Sequence, residues 1–88
     1  MSNRPYNVTL KRSAQKEIRA LDATVRVRVI QAVRELAHEP RPVGCRKLVD
    51  SDDRWRIRVS DYRIIYTVDD AGRIVDVVAV RHRGKAYD

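Results

Sequence analysis

The chain has 88 residues, 43% of them hydrophobic and 35% charged, and its 19 Lys and Arg against 12 Asp and Glu give a formal net charge of +7. This composition fits one compact domain with a modest core and excludes a disordered chain. No apolar run approaches the ~20 residues that span a bilayer, residues 1–5 precede no signal-peptide core, and a lone cysteine, Cys45, excludes an internal disulfide, so a cytoplasmic protein without a membrane partner is expected.

Residues 6–10 (Tyr-Asn-Val-Thr-Leu) alternate and are rich in strand formers, which predicts a first strand. Over residues 11–21 the period changes. Ala14, Ile18 and Leu21 fall on one helical face, with Ser13 a candidate N-cap and Lys11, Arg12, Lys16 and Arg19 off that face. Asp22 punctuates and caps a second predicted helix over residues 23–38. The apolar stripe of that helix is Val25, Val29, Ala32, Val33, Leu36 and Ala37, with Arg26, Arg28, Gln31, Arg34 and Glu35 facing outward. Valine is an indifferent helix former, so packing must hold this helix. The short link to the first helix favours a helical hairpin on a sheet. Pro40 and Pro42 stop the helix, and His38 beside its end suits a C-terminal dipole partner.

Residues 44–53 connect, with a short apolar element at Lys47-Leu48-Val49 and a polar turn at residues 50–53. Residues 54–66 read as two strands joined by a tight turn. Trp55, Ile57 and Val59 alternate with Arg54, Arg56 and Arg58; after Ser60-Asp61, Tyr62, Ile64 and Tyr66 alternate with Arg63 and Ile65. A two-residue loop at Ser60-Asp61 sets Val59 opposite Tyr62 and Arg58 opposite Arg63. Like charges directly opposite are destabilising, so such a pair suggests an anion that the protein holds there. Residues 69–72 form a second turn, with Gly72 available for a positive φ. Residues 74–81 are nearly all β-formers and read as a strand buried on both faces, hence central. Asp76, a lone acid in that strand, is read as structural, and Trp55, Tyr62 and Tyr66 as core. The order is β-α-α-β-β-β. The fold class is α+β, an N-terminal helical hairpin packed on a small, mainly antiparallel four-stranded twisted sheet, one domain over residues 1–88.

The charges are sorted. In the second half the acids fall mostly in predicted turns and the arginines in strands. That pattern suggests a polyanionic partner: RNA, DNA or an acidic protein segment.

The β-α-α-β-β-β order, the Trp-Arg-Ile-Arg-Val and Asp-Tyr-Arg-Ile-Ile-Tyr strands and the ending Val-Arg-His-Arg-Gly-Lys-Ala-Tyr resemble the RelE branch of the RelE/ParE toxin superfamily, over residues 6–87. The resemblance implies the toxin of a type II toxin–antitoxin pair. It implies a ribosome-dependent endoribonuclease that cleaves translated mRNA in the A site without metal or organic cofactor, and so inhibits translation. Its partners would be a cognate antitoxin encoded adjacently, mRNA on the ribosome with ribosomal RNA, and operator DNA only through the antitoxin. Carried over position by position, the resemblance marks Arg56 and Arg58 flanking Ile57, Arg63 after Tyr62, Arg81 past the last strand with Arg83 beside it, and Tyr87. Lys85 joins Arg56, Arg58 and Arg83 as substrate-binding. Two features depart from the pattern: the Ser60-Asp61 loop is shorter than in some relatives, and the chain stops one residue after Tyr87, where many relatives carry a helix.

Cleavage by the RNA's own 2′-hydroxyl needs a base, cations on the phosphorane and an acid for the leaving 5′-oxygen. Arg63 and Arg81 are candidates for the scissile phosphate and Arg56 and Arg58 for the backbone on either side, because the guanidinium fork matches phosphate geometry. Tyr87 is the candidate base. His82 is either a catalytic acid or base, a common role of histidine, or a hydrogen-bonding residue near the sheet edge. Three alternatives stand beside this reading: a ParE-type DNA gyrase inhibitor of the same fold, which does not need this residue set; a non-catalytic RNA- or ribosome-binding module with the same clamp; and a degenerate toxin surviving as an antitoxin-binding protein.

Overall fold

The computed structural model describes residues 4–49 and 53–83. The elements run β1 (Asn7–Leu10), α1 (Arg12–Arg19), α2 (Ala23–Leu36), β2 (Arg46–Lys47), β3 (Arg54–Val59), β4 (Tyr62–Asp69) and β5 (Ile74–His82). They form an α+β fold with one sheet in the order β1-β5-β4-β3-β2. The β1–β5 pair is parallel and the other pairs are antiparallel. The expected four strands become five, because Arg46 and Lys47 pair with Arg56 and Trp55 as a two-residue edge strand. That edge takes in the basic start of the stretch that the sequence reading assigned to Lys47-Leu48-Val49.

The helices cover one face. Ala14, Ile18 and Leu21 meet Val29, Val33 and Leu36, and all six are buried with Ile57, Ile64, Tyr66, Val75, Val77 and Val80 of the sheet. The alternation of β3 and β4 decides this, since Trp55, Ile57 and Val59 of β3 and Tyr62, Ile64, Tyr66 and Val68 of β4 face the helices, while Ile65 is buried on the other side. Tyr66 is fully buried, and its hydroxyl donates a 2.8 Å hydrogen bond to the Pro40 carbonyl, which ties the segment after α2 to the sheet. Burial pushes the Tyr66 phenol up, and the neighbouring Cys45 adds to that.

Several local expectations change. Ser13 lies inside α1, whose N-cap is Lys11; the Ser13 hydroxyl instead donates to the Val78 carbonyl at 3.1 Å. Arg26 does not face outward. Its Nη2 turns back and donates to the Leu21 carbonyl at 2.7 Å, satisfying the end of the preceding helical segment. In the β4–β5 turn the left-handed residue is Arg73 (φ 55°) rather than Gly72. Gly72 has a different use: its N–H donates to Asp69 Oδ1, and a Cβ there would stand 2.7 Å from Asp69 Oδ2. Finally, β5 is interior to the sheet, but only Ala79 and Val80 are consecutive buried residues. Ile65 pairs with Ala79 and Tyr66 with Val77, so Val78 is an extra residue, a β-bulge.

Candidate functional site

The face of the sheet away from the helices is where the arginines collect. Val59 pairs with Tyr62 across the Ser60-Asp61 loop, as the two-residue turn requires, and Ser60 takes the left-handed conformation (φ 53°) that suits such a hairpin. Arg58 is therefore opposite Arg63, and Arg63 is opposite Arg81. Three arginines from β3, β4 and β5 form one row across the sheet, at the ~4.8 Å strand spacing. The next row on the same face is Arg46, Arg56, Ile65 and Ala79. Ile65 and Ala79 are buried yet stand outside the helix-side core, and they give the arginine face an apolar floor.

Arg58 and Arg81 are exposed, and Arg56 and Arg63 half-buried. Arg28 of α2 reaches the hairpin loop, where its Nη1 stands 3.3 Å from Ser60 Oγ. Arg83 follows β5; its backbone N–H donates to the Asp61 carbonyl at 2.7 Å, so the end of β5 and the β3–β4 loop are held together beside the row.

His82 is on the other face. It pairs with Tyr62, and the two rings meet edge-on with centroids 5.3 Å apart. Both line a cleft of about 450 Å³ with Glu17, Leu21 and Arg81. Strand parity puts the Arg81 and His82 positions on opposite faces, yet the Arg81 side chain reaches Glu17 of α1 and lines this cleft too. Tyr87 and Lys85 lie outside the described residues.

Sequence reading passed over Arg46 and Glu17. Arg46 was hidden because two residues are too few to show alternation; its signal is the direct facing of Arg56. Glu17 was hidden among the polar positions of α1. Its carboxylate accepts the Val80 N–H at 2.8 Å and stands 3.4 Å from Arg81 Nε. Asp76 is structural, held by Lys11 Nζ at 2.8 Å and by the Thr9 hydroxyl at 2.8 Å. Arg41 stacks 5.2 Å from the Trp55 ring centroid and forks onto Asp70 at 2.9 and 3.1 Å. That cluster locks the segment after α2 against the β4–β5 turn.

A basic open sheet face with turns and a helix pair behind it is an arrangement suited to holding a phosphate chain. No helix among the described residues is long and apolar enough to cross a membrane.

Comparison with known proteins identifies the lineage. The family model of the ParE toxin of the type II toxin–antitoxin system parDE matches residues 8–87. Toxin RelE of Mycobacterium tuberculosis (strain ATCC 25618 / H37Rv) is 24% identical over 84 residues, which span 94% of this chain and 87% of that one. Among solved structures, the archaeal RelE–RelB complex from Pyrococcus horikoshii OT3 superposes with a TM-score of 0.81 at 26% identity, covering 93% of this chain and 99% of that chain. The isolated E. coli RelE toxin gives a TM-score of 0.78 at 30% identity, with 92% and 87% covered. The chain belongs to the ParE toxin family of type II toxin–antitoxin systems and is a RelE-like toxin of the RelE/ParE superfamily.

Proposed function

We propose that this toxin is a ribosome-dependent endoribonuclease that cleaves translated mRNA in the A site and thereby stops translation. The observation that carries the reading is the row Arg58–Arg63–Arg81, three arginines at directly paired positions of neighbouring strands. Like charges in direct opposition cost stability, and a bound phosphate chain reverses the sign of that cost.

The reaction is attack of the RNA 2′-hydroxyl on the adjacent phosphate to give a 2′,3′-cyclic phosphate, with departure of the 5′-oxygen, which takes its proton from water, and it uses no metal. Arg63 and Arg81 stabilise the charge that develops on the phosphorane, and Arg56 and Arg58 hold the backbone on either side. Arg83 and Lys85 extend the phosphate track. Tyr87 takes or orients the 2′-hydroxyl proton. His82, whose ring packs edge-on against Tyr62, takes a supporting role in this reading. A site rich in fixed cations and poor in strong bases gains most when another body holds the RNA in line, and the ribosome is that body.

The partners follow. A cognate antitoxin silences the toxin; the Pyrococcus horikoshii relative was solved as a RelE–RelB complex. Action on translating ribosomes sets the site of action in the cytoplasm.

A second reading keeps the fold and changes the target. The matching family model is that of ParE toxins, and a ParE-type toxin inhibits DNA gyrase without cutting RNA. The two are separated by incubating the purified toxin with an mRNA alone and with the same mRNA on programmed ribosomes. Cleavage only on the ribosome supports the nuclease. Intact RNA in both, together with inhibited gyrase supercoiling, supports the second reading.

A further inference from the structure

We propose that Glu17 is a positioning residue for Arg81. The inference rests on the nuclease reading above. It begins with a mismatch of strand lengths: β1 pairs with β5 only as far as Leu10 opposite Val77. From Val78 onward no strand among the described residues lies beside that edge of β5, and backbone groups there need other partners. Helix α1 supplies them. Ser13 donates to the Val78 carbonyl at 3.1 Å, and Glu17, one helical turn on, accepts the Val80 N–H at 2.8 Å through Oε1.

That hydrogen bond fixes the Glu17 carboxylate against the strand and leaves Oε2 at 3.4 Å from Arg81 Nε. As a stabilising ion pair between half-exposed groups the contact is weak. Its consequence is geometric. A guanidinium can fork onto phosphate through its Nε edge or through its two terminal nitrogens. Glu17 occupies the Nε edge, so Arg81 presents its Nη1 and Nη2 end. A helix that stitches the free edge of β5 thus also fixes which edge of Arg81 meets the RNA.

The test uses Glu17→Gln, which keeps an oxygen for the Val80 N–H and removes the charge facing Arg81. Single-turnover cleavage on programmed ribosomes should fall on the order of tenfold, with the half-saturating ribosome concentration changed by less than about twofold. In an Arg81→Lys background, which has no Nε, Glu17→Gln should cause no further loss. A wild-type rate for Glu17→Gln, or the same loss in both backgrounds, overturns the proposal. A second readout needs no cleavage: the Arg81 Nε–H resonance, assigned by its loss in Arg81→Lys, should shift in Glu17→Gln. An unmoved resonance overturns the pairing. A shifted resonance in a protein that cleaves no RNA supports the pairing and overturns the nuclease reading alone.

Discussion

Arg58 of β3 lies directly opposite Arg63 of β4, and the two-residue loop between them leaves no other register. A cross-strand pair of like charges is destabilising by about 0.2–1 kcal/mol. Arg81 extends the opposition to a third strand. The proposed chemistry uses a row in which like charges oppose one another, the kind of trade-off between stability and activity expected of a functional site.

Arg58→Thr should therefore stabilise the free toxin. Threonine is a strand former and removes one cation from the row. The expected gain is about 0.5–1 kcal/mol, and a kcal/mol corresponds to about 4–8 °C in Tm for a domain of this size. Ribosomal mRNA cleavage by the same variant should fall. Thermal unfolding and the cleavage assay, run on one preparation, check both; a loss of stability would show that Arg58 is held by contacts rather than opposed by charge.

The second prediction concerns acid. Asp70 is held down to about 2 by the Arg41 fork, and next by the Tyr6 hydroxyl, which donates to Oδ1 at 2.7 Å. A depressed carboxyl contributes stability that is present above its ordinary range, near pH 4, and is lost as pH falls through its folded value. The stability difference between wild type and Asp70→Asn should be constant from pH 7 to about 4 and shrink between about 4 and 2. Urea unfolding at stepped pH measures it. A difference that persists unchanged at pH 2 would locate the effect outside the carboxylate.

Tyr66→Phe separates scaffold from chemistry. It removes the buried hydroxyl bond to Pro40 and leaves that carbonyl short of a partner, at a cost of about 1–2 kcal/mol. The ring still fills the core. Unfolding midpoints should drop, while cleavage at a temperature where the variant is folded should stay near wild type. A large loss of cleavage by folded Tyr66→Phe would place the phenol in the chemistry.

Much of this was legible because the relevant signals are local. Trp55, Ile57 and Val59 against the interleaved arginines fix both faces of β3, and Ser60-Asp61 fixes the register with Tyr62. The features that escaped depend on distant strand lengths. The run Val77-Val78-Ala79-Val80 has no period of two, so nothing in it marks Val78 as the bulged residue. Ser13 reads as a cap until β1 is seen to end at Leu10, and Arg26 reads as solvated until α2 folds back beside the end of α1. Of the site, the facing of Arg58 and Arg63 follows from parity and turn length, whereas Arg81 joins them only because the Val78 bulge shifts the parity of β5. The opposite facing of His82 follows from the same parity, whereas the Glu17–Arg81 contact needed the tertiary structure.

The central claim is that the arginine row cleaves mRNA during translation. The most direct measurement maps 5′ ends on a reporter mRNA after induction of the toxin, with and without a functional start codon, for wild type and for Arg63→Ala and Arg81→Ala. The account predicts cuts within the reading frame of the translated message only, and a loss of orders of magnitude in both folded variants. Growth arrest with an intact message and trapped gyrase–DNA complexes, or undiminished cutting by both variants, would contradict it.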